Sequence, residues 1–217
     1  ERRPVSIQRF PEGAGHHHCV MPSSWYELMN GDIQRPSCPS GMLEPGAWPE
    51  VSEGRFYQVA QDCVTALQNL ITQSATPWER QLRDIFQNGG GIWAGDASGA
   101  ANSKGNAALK SFSEMKTQLA SAANWNFDVS NAISSTKSEI VRNVGNAMSG
   151  FDELSSDDQT TRINECYQLN IGAISRHAAS IDAATYRPSL TPENLETNGL
   201  PPRPPAGATA PTGGAAT

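Results

Sequence analysis

Three stretches carry residue types that could do chemistry. His16, His17 and His18, followed directly by Cys19, offer nitrogen and sulfur donors to a metal ion. Neighbouring side chains cannot all face one ion, however, and no second ligand cluster stands at a recognisable spacing, so a solvated loop is the plainer reading and a metal-dependent hydrolase the weaker one. Gly89-Gly90-Gly91-Ile92-Trp93-Ala94 satisfies the letters of a dinucleotide-binding Gly-x-Gly-x-x-Ala. That chemistry needs a strand before the glycines and a phosphate at the start of the following helix. A helical pattern precedes these glycines, so a structural turn is expected and no cofactor. His177 lies beside an apolar helical face with neither a nucleophile nor an orienting carboxylate indicated in sequence, and reads as an interhelical histidine. No catalytic residue and no metal ligand is assigned, and the expectation is a protein that is not an enzyme.

The cysteines are the remaining reactive groups. Cys19 and Cys38 stand in a proline-rich front, Cys63 and Cys166 within helical patterns. An even set fits disulfides in an oxidising compartment, with buried free thiols as the alternative. Cys63 with Cys166 would tie the first helix to the last. Cys19 with Cys38 would close a loop of about 20 residues and contribute about 3 kcal/mol.

Composition narrows the partners. A formal net charge of -6 and a pI near 5.2 leave no general basic field for phosphate backbones or anionic lipids, which argues against nucleic acid. No run reaches the roughly 18 apolar residues of a membrane span. Glu1-Arg2-Arg3-Pro4 lacks the apolar centre of a signal peptide, so export would use another route.

The elements that must position these residues are helical. Residues 1–50 carry seven prolines among several glycines, which breaks any regular element longer than a turn or two and predicts an irregular arm. From Ser52, Phe56, Ala60, Cys63, Leu67, Leu70 and Ser74 recur in steps of four and three, predicting a helix over about 53–75. Thr76-Pro77 reads as a cap and a proline in the first turn, restarting or kinking the helix over 77–88. Asp96 could cap a third helix, about 96–148, in which Phe112, Leu119, Ile133 and Ile140 fall on a seven-residue grid. Asn126 is the polar residue on that grid. Gly150 and the Ser155 to Asp158 cluster mark a turn and a cap, after which Ile163, Tyr167, Ile171, Ile174, Ala178 and Ile181 predict a returning helix over about 156–185. The expected fold is all-α, an elongated helix-hairpin bundle over 51–187, followed by a flexible Pro/Gly/Ala-rich tail over 188–217. Leu200-Pro201-Pro202-Arg203-Pro204-Pro205 within it is a stiff spacer or a docking peptide.

Between the second and third helices, Gly91-Ile92-Trp93-Ala94-Gly95-Asp96-Ala97 has the chemistry of a tight reversal. Glycines let the chain turn, an indole can cross the bend, and small residues let the two helices approach. This segment, set between long helices, resembles the Trp-x-Gly hairpin of type VII (ESX) secretion substrates. The helix order, acidic turn and proline-rich exit are more narrowly similar to the PPE-like half of EspB-type substrates, over about residues 52–205. Trp93 and Gly95 are the positions carried over as the motif.

The resemblance implies export as a folded bundle and association with a helical partner, PE-like or ESX-type, or with copies of itself. It also implies a Tyr-x-x-x-Asp or Glu on a partner hairpin. No tyrosine here has that spacing: Tyr26, Tyr57, Tyr167 and Tyr186 meet Asn30, Gln61, Ile171 and Leu190. The partner half is then expected from another chain or from a region before residue 1. The resulting expectation is a secreted or cell-envelope interaction protein without cofactor, the alternative being the N-terminal delivery domain of a larger toxin or enzyme.

Overall fold

The structure, a computed structural model, describes residues 31–88, 95–184 and 190–202. Among them there is no strand, and the fold is all-α. His16 to His18, Cys19, the Gly89 to Ala94 run with Trp93, and the tail from Arg203 lie outside the described residues.

Helix α1 spans Glu53–Leu70. It starts at Ser52, whose Oγ accepts a hydrogen bond from the Arg55 amide at 3.1 Å, satisfying a donor that the helix itself cannot. Its buried face is Ala60, Val64 and Leu67, with Phe56, Cys63 and Leu70 half-buried beside it. The helix does not stop at Thr76-Pro77. A π-helical turn at Ile71–Ala75 leads directly into α2, Thr76–Arg83. Thr76 has helical angles and makes no side-chain cap. Widening the turn to i→i+5 is one way to accommodate a proline that lacks an N–H and crowds the preceding turn. A second π turn, Asp84–Asn88, follows.

Helix α3, Asp96–Met148, runs 53 residues, or about 80 Å at 1.5 Å per residue. Its cap position is Gly95 rather than Asp96. Gly95 has φ 94° and ψ -175°, a left-side conformation that costs a residue with a Cβ and that glycine takes freely, while Asp96 lies in the first turn, where its charge favours the helix dipole. Gly150, at φ 66°, turns the chain into a 3-10 turn at Phe151–Glu153. Helix α4, Ser156–Ala184, returns along α3. Ser155 begins it with a reciprocal pair of bonds, its Oγ accepting from the Asp158 amide at 3.3 Å and donating to the Asp158 carboxylate at 2.7 Å. The buried centre of α4 is Cys166, Asn170 and Ala173, flanked by the half-buried Ile163, Tyr167, Ile171 and Ile174.

Two apolar cores sit at different levels of α3. At one, Val64 and Leu67 of α1 meet Ala120 and Ala123. At the other, Ile140 and Val144 meet Cys166 and Ala173 of α4. Both are completed by segments that composition predicts to be irregular. Met42, Leu43 and Trp48 of the front segment are 0%, 2% and 7% exposed and belong to the second core. The tail contributes α5, Pro192–Asn198, whose Leu195 is 0% exposed inside the first core. The bundle therefore extends beyond 51–187 in both directions. Proline density limits the length of regular elements but does not stop short segments from donating a few large apolar side chains to a neighbouring core.

Candidate functional site

The end of the hairpin beside Gly95 is where α2 crosses the start of α3. Trp78, Leu82 and Ile85 recur at helical spacing and form one row. Trp78 Nε1 donates to the Gly105 carbonyl at 3.2 Å. A Cβ added at Gly105 would lie 2.3 Å from Leu82 Cδ2, so the absence of a side chain there is what lets the helices touch. Trp78, Leu82, Ile85, Phe86, Ala101 and Lys104 line a groove of about 620 Å³. Trp78 and Ile85 are 38% and 41% exposed, so apolar surface stays open to solvent at this end. In sequence the glycines and the indole are the conspicuous signal here, and the steps of four and three between Trp78, Leu82 and Ile85 are the signal that marks this face.

The grid residues divide between two environments. Ile133 and Ile140 are 8% and 0% exposed, whereas Phe112 and Leu119 are half-buried. Asn126 is not an interhelical polar contact: its Nδ2 donates to the Ala122 carbonyl on its own helix at 2.8 Å. The buried asparagine of α3 is instead Asn124, 2% exposed, and it holds the chain segment before α5. Its Nδ2 donates to the Leu190 carbonyl at 3.1 Å and its Oδ1 accepts from the Leu190 amide at 3.3 Å. The Lys116–Glu196 ion pair at 2.8 Å and the bond from the Tyr57 hydroxyl to the Pro201 carbonyl at 3.0 Å complete the attachment of 190–202. The described start of the polyproline run thus lies against α1.

A buried polar cluster joins the front segment to the bundle. Lys137 Nζ lies 2.7 Å from Glu53 Oε2 and 5.5 Å from the centre of the Trp48 ring. Glu53 Oε1 accepts from the Ile33 amide at 2.6 Å, Asp32 Oδ1 accepts from the Gly54 amide at 2.7 Å, and Ser130 Oγ donates to the Glu53 carbonyl at 2.8 Å. These groups bond to one another across the two segments, which makes them a clasp. His177 is likewise engaged between helices, with Nε2 3.3 Å from Glu139 Oε2 while Arg176 pairs with the other oxygen of the same carboxylate.

The three described cysteines are free thiols, and the expected Cys63–Cys166 bridge is not formed. Cys63 packs at the level of Ala120 and Ala123, Cys166 at that of Ile140 and Val144. About 20 residues of helix separate the two levels, about 30 Å, against the 7 Å that a bridge allows between Cα atoms. The partner proposed for Cys38, Cys19, lies outside the described residues. Burial raises the pKa of Cys38, Cys63 and Cys166 alike, because removal from water disfavours the thiolate. The Cys166 charge also raises Cys38, while Arg35 lowers it; Asp62 adds to the shift at Cys63, and a hydrogen bond from Asn170 opposes it at Cys166. Among the described residues no group of three or more His, Cys, Asp or Glu could hold a metal ion, and no helix is long and apolar enough to cross a membrane.

The helical hairpin and the groove between α2 and α3 can be set beside one similarity to a known protein. The chain is similar to an ESX-1 secretion-associated protein. That protein is EspK of Mycobacterium tuberculosis, 31% identical over 138 residues, which cover 61% of this chain. The chain spans 19% of the relative's length. No family model matches the sequence, and no solved structure matches it.

Proposed function

We propose that this chain is a non-enzymatic interaction module of a type VII (ESX) secretion system, of the Trp-x-Gly, PPE-like kind. In this reading it is exported to the medium or cell envelope as a folded bundle and presents its tip groove to a PE-like or ESX-type helical partner, or to another copy of itself. The observation that carries the reading is the apolar groove beside the Gly95 turn, where Trp78 and Ile85 are exposed on either side of the half-buried Leu82. Clustered apolar exposure marks a surface that another molecule covers. Similarity to a secretion-associated protein supplies the setting.

The test is Ile85→Asp, a change at a side chain already in water. It should leave helicity and melting unchanged, abolish co-purification with a helical partner or self-association read by light scattering, and lower export from a mycobacterial culture with an active ESX-1 system. Undiminished association and export would remove the groove from the proposal.

A second reading has its own support. Because the chain aligns with only a fifth of a much longer relative, it can also serve as the delivery domain of a larger protein. Fusing an inert reporter to Thr217 and finding it exported only when Gly95 and Trp93 are intact would favour that role.

A further inference from the structure

The front segment is attached to α4 at one short stretch. Gly41 approaches so closely that an added Cβ would meet Ile163 Cγ2 at 2.8 Å. The Tyr167 hydroxyl donates to the Pro45 carbonyl at 2.9 Å. Asn170 Nδ2 donates to the Met42 carbonyl at 3.0 Å and also lies 3.6 Å from Cys166 Sγ. These contacts hold residues 41–45 along the turns of α4 that surround Cys166. Cys38 stands three residues before Gly41, and its side chain packs against the apolar cluster that contains Cys166.

The geometry points to Cys38 and Cys166 as a thiol pair that closes a disulfide under oxidation, stapling the front segment to α4. The pairing is independent of the proposed secretion role. Cys38 is half-buried and Cys166 is 2% exposed, which sets the order of events. The co-reactant is a small disulfide. The Cys38 thiolate attacks one of its sulfurs, forming a mixed disulfide and expelling one small thiolate. Cys166, deprotonated in turn, attacks the Cys38 sulfur and expels the second. The two protons lost by the protein are taken up by the two small thiolates. The protein is oxidised by two electrons and the small disulfide is reduced by two. Cys38 is the entry point because it is the more exposed of the two thiols; burial raises its pKa, so the reaction is run at alkaline pH to supply the thiolate.

The experiment treats the full chain with oxidised glutathione at pH 8.5, blocks residual thiols with N-ethylmaleimide, and maps the linked peptides by mass spectrometry without reduction. The expected product joins the Cys38 peptide to the Cys166 peptide. Closing a loop of about 130 residues should raise the melting temperature by about 5 °C or more, reversibly with reductant. In Cys166→Ser, Cys38 should instead retain one glutathione. Linkage of Cys38 to Cys19, a stable glutathione on Cys38 of the unaltered chain, or no oxidation at all would overturn the pairing. Mapping the unaltered chain does not depend on how well the variant folds.

Discussion

The Lys137 ammonium sits 2.7 Å from the Glu53 carboxylate with the two side chains 5% and 0% exposed, joining the first residue of α1 to the second half of α3. Removing one member leaves the other charge buried without its counter-ion. Lys137→Met should therefore cost about 3–5 kcal/mol, measured as a drop in the urea midpoint. Adding Glu53→Gln, which keeps an acceptor for the Ile33 amide and removes the charge, should restore most of the loss.

Gly105 offers a test of close helix approach at the tip. Gly105→Val drives a side chain into Leu82 and should destabilise by about 1–3 kcal/mol through overpacking. Gly99, on the same helix, has nothing within 4 Å of an added Cβ, so Gly99→Val serves as the control. Leu82→Ala in the Gly105→Val background should recover part of the loss. Equal melting temperatures for the two valine variants would show that the tip does not depend on this contact.

The attachment of 190–202 depends on Asn124 and Leu195. Asn124→Ala removes both hydrogen bonds to Leu190, of about 1 kcal/mol each, and should free this segment while leaving the core between α1 and α3 standing. A glutamate-specific protease should then cut after Glu193 and Glu196 several-fold faster, with little change in far-ultraviolet circular dichroism. An unchanged cutting rate would mean that Asn124 does not hold the segment.

Alkaline pH should act through Cys166. Its folded pKa is raised above the ordinary 9.0 by burial, so the folded state favours the neutral thiol. The resulting stabilisation is full below the unfolded value and is lost as pH rises through the folded one. Thermal midpoints from pH 8 to 11 should fall more steeply for the unaltered chain than for Cys166→Ala. Parallel profiles would contradict this.

Ile133→Asp should unfold the bundle, because it places a charge at a position 8% exposed. Phe112→Asp, at a half-buried position, should be tolerated far better. The contrast is read from soluble yield and melting.

Helical periodicity and turn chemistry made the main elements legible: the α1 stripe, the long α3, the Gly150 reversal and the returning α4 all follow from local patterns. The deepest positions were less so. Burial centres on Val64 rather than Cys63, on Cys166 and Asn170 rather than Ile163 and Tyr167, and on Asn124 rather than Asn126. A strict seven-step grid drifts by about 20° per heptad on a straight helix, and α3 meets α1 and α4 on different flanks along its length. The clasp of Glu53 with Lys137, the seating of Met42 and Trp48, and the docking of Leu195 join residues far apart in the chain, and nothing local announces them. Lys137 stands among the polar residues Ser134 to Glu139, so its burial has no local signal either. Of the candidate site, the Gly95 turn was visible, and the row of Trp78, Leu82 and Ile85 has helical spacing, but which helix it faces depends on the fold.

The uneven seating of α3 gives its two ends different mechanical lives. From Asp96 to Leu119 the only buried residue is Gly105, while from Ala120 onward buried positions recur to Val144. One continuous helix is thus an anchored beam with an overhanging arm, and amide hydrogen exchange should slow progressively from its first turns toward Val144. A molecule gripping the overhang would work at the end of a lever, able to tilt the tip without loosening the root.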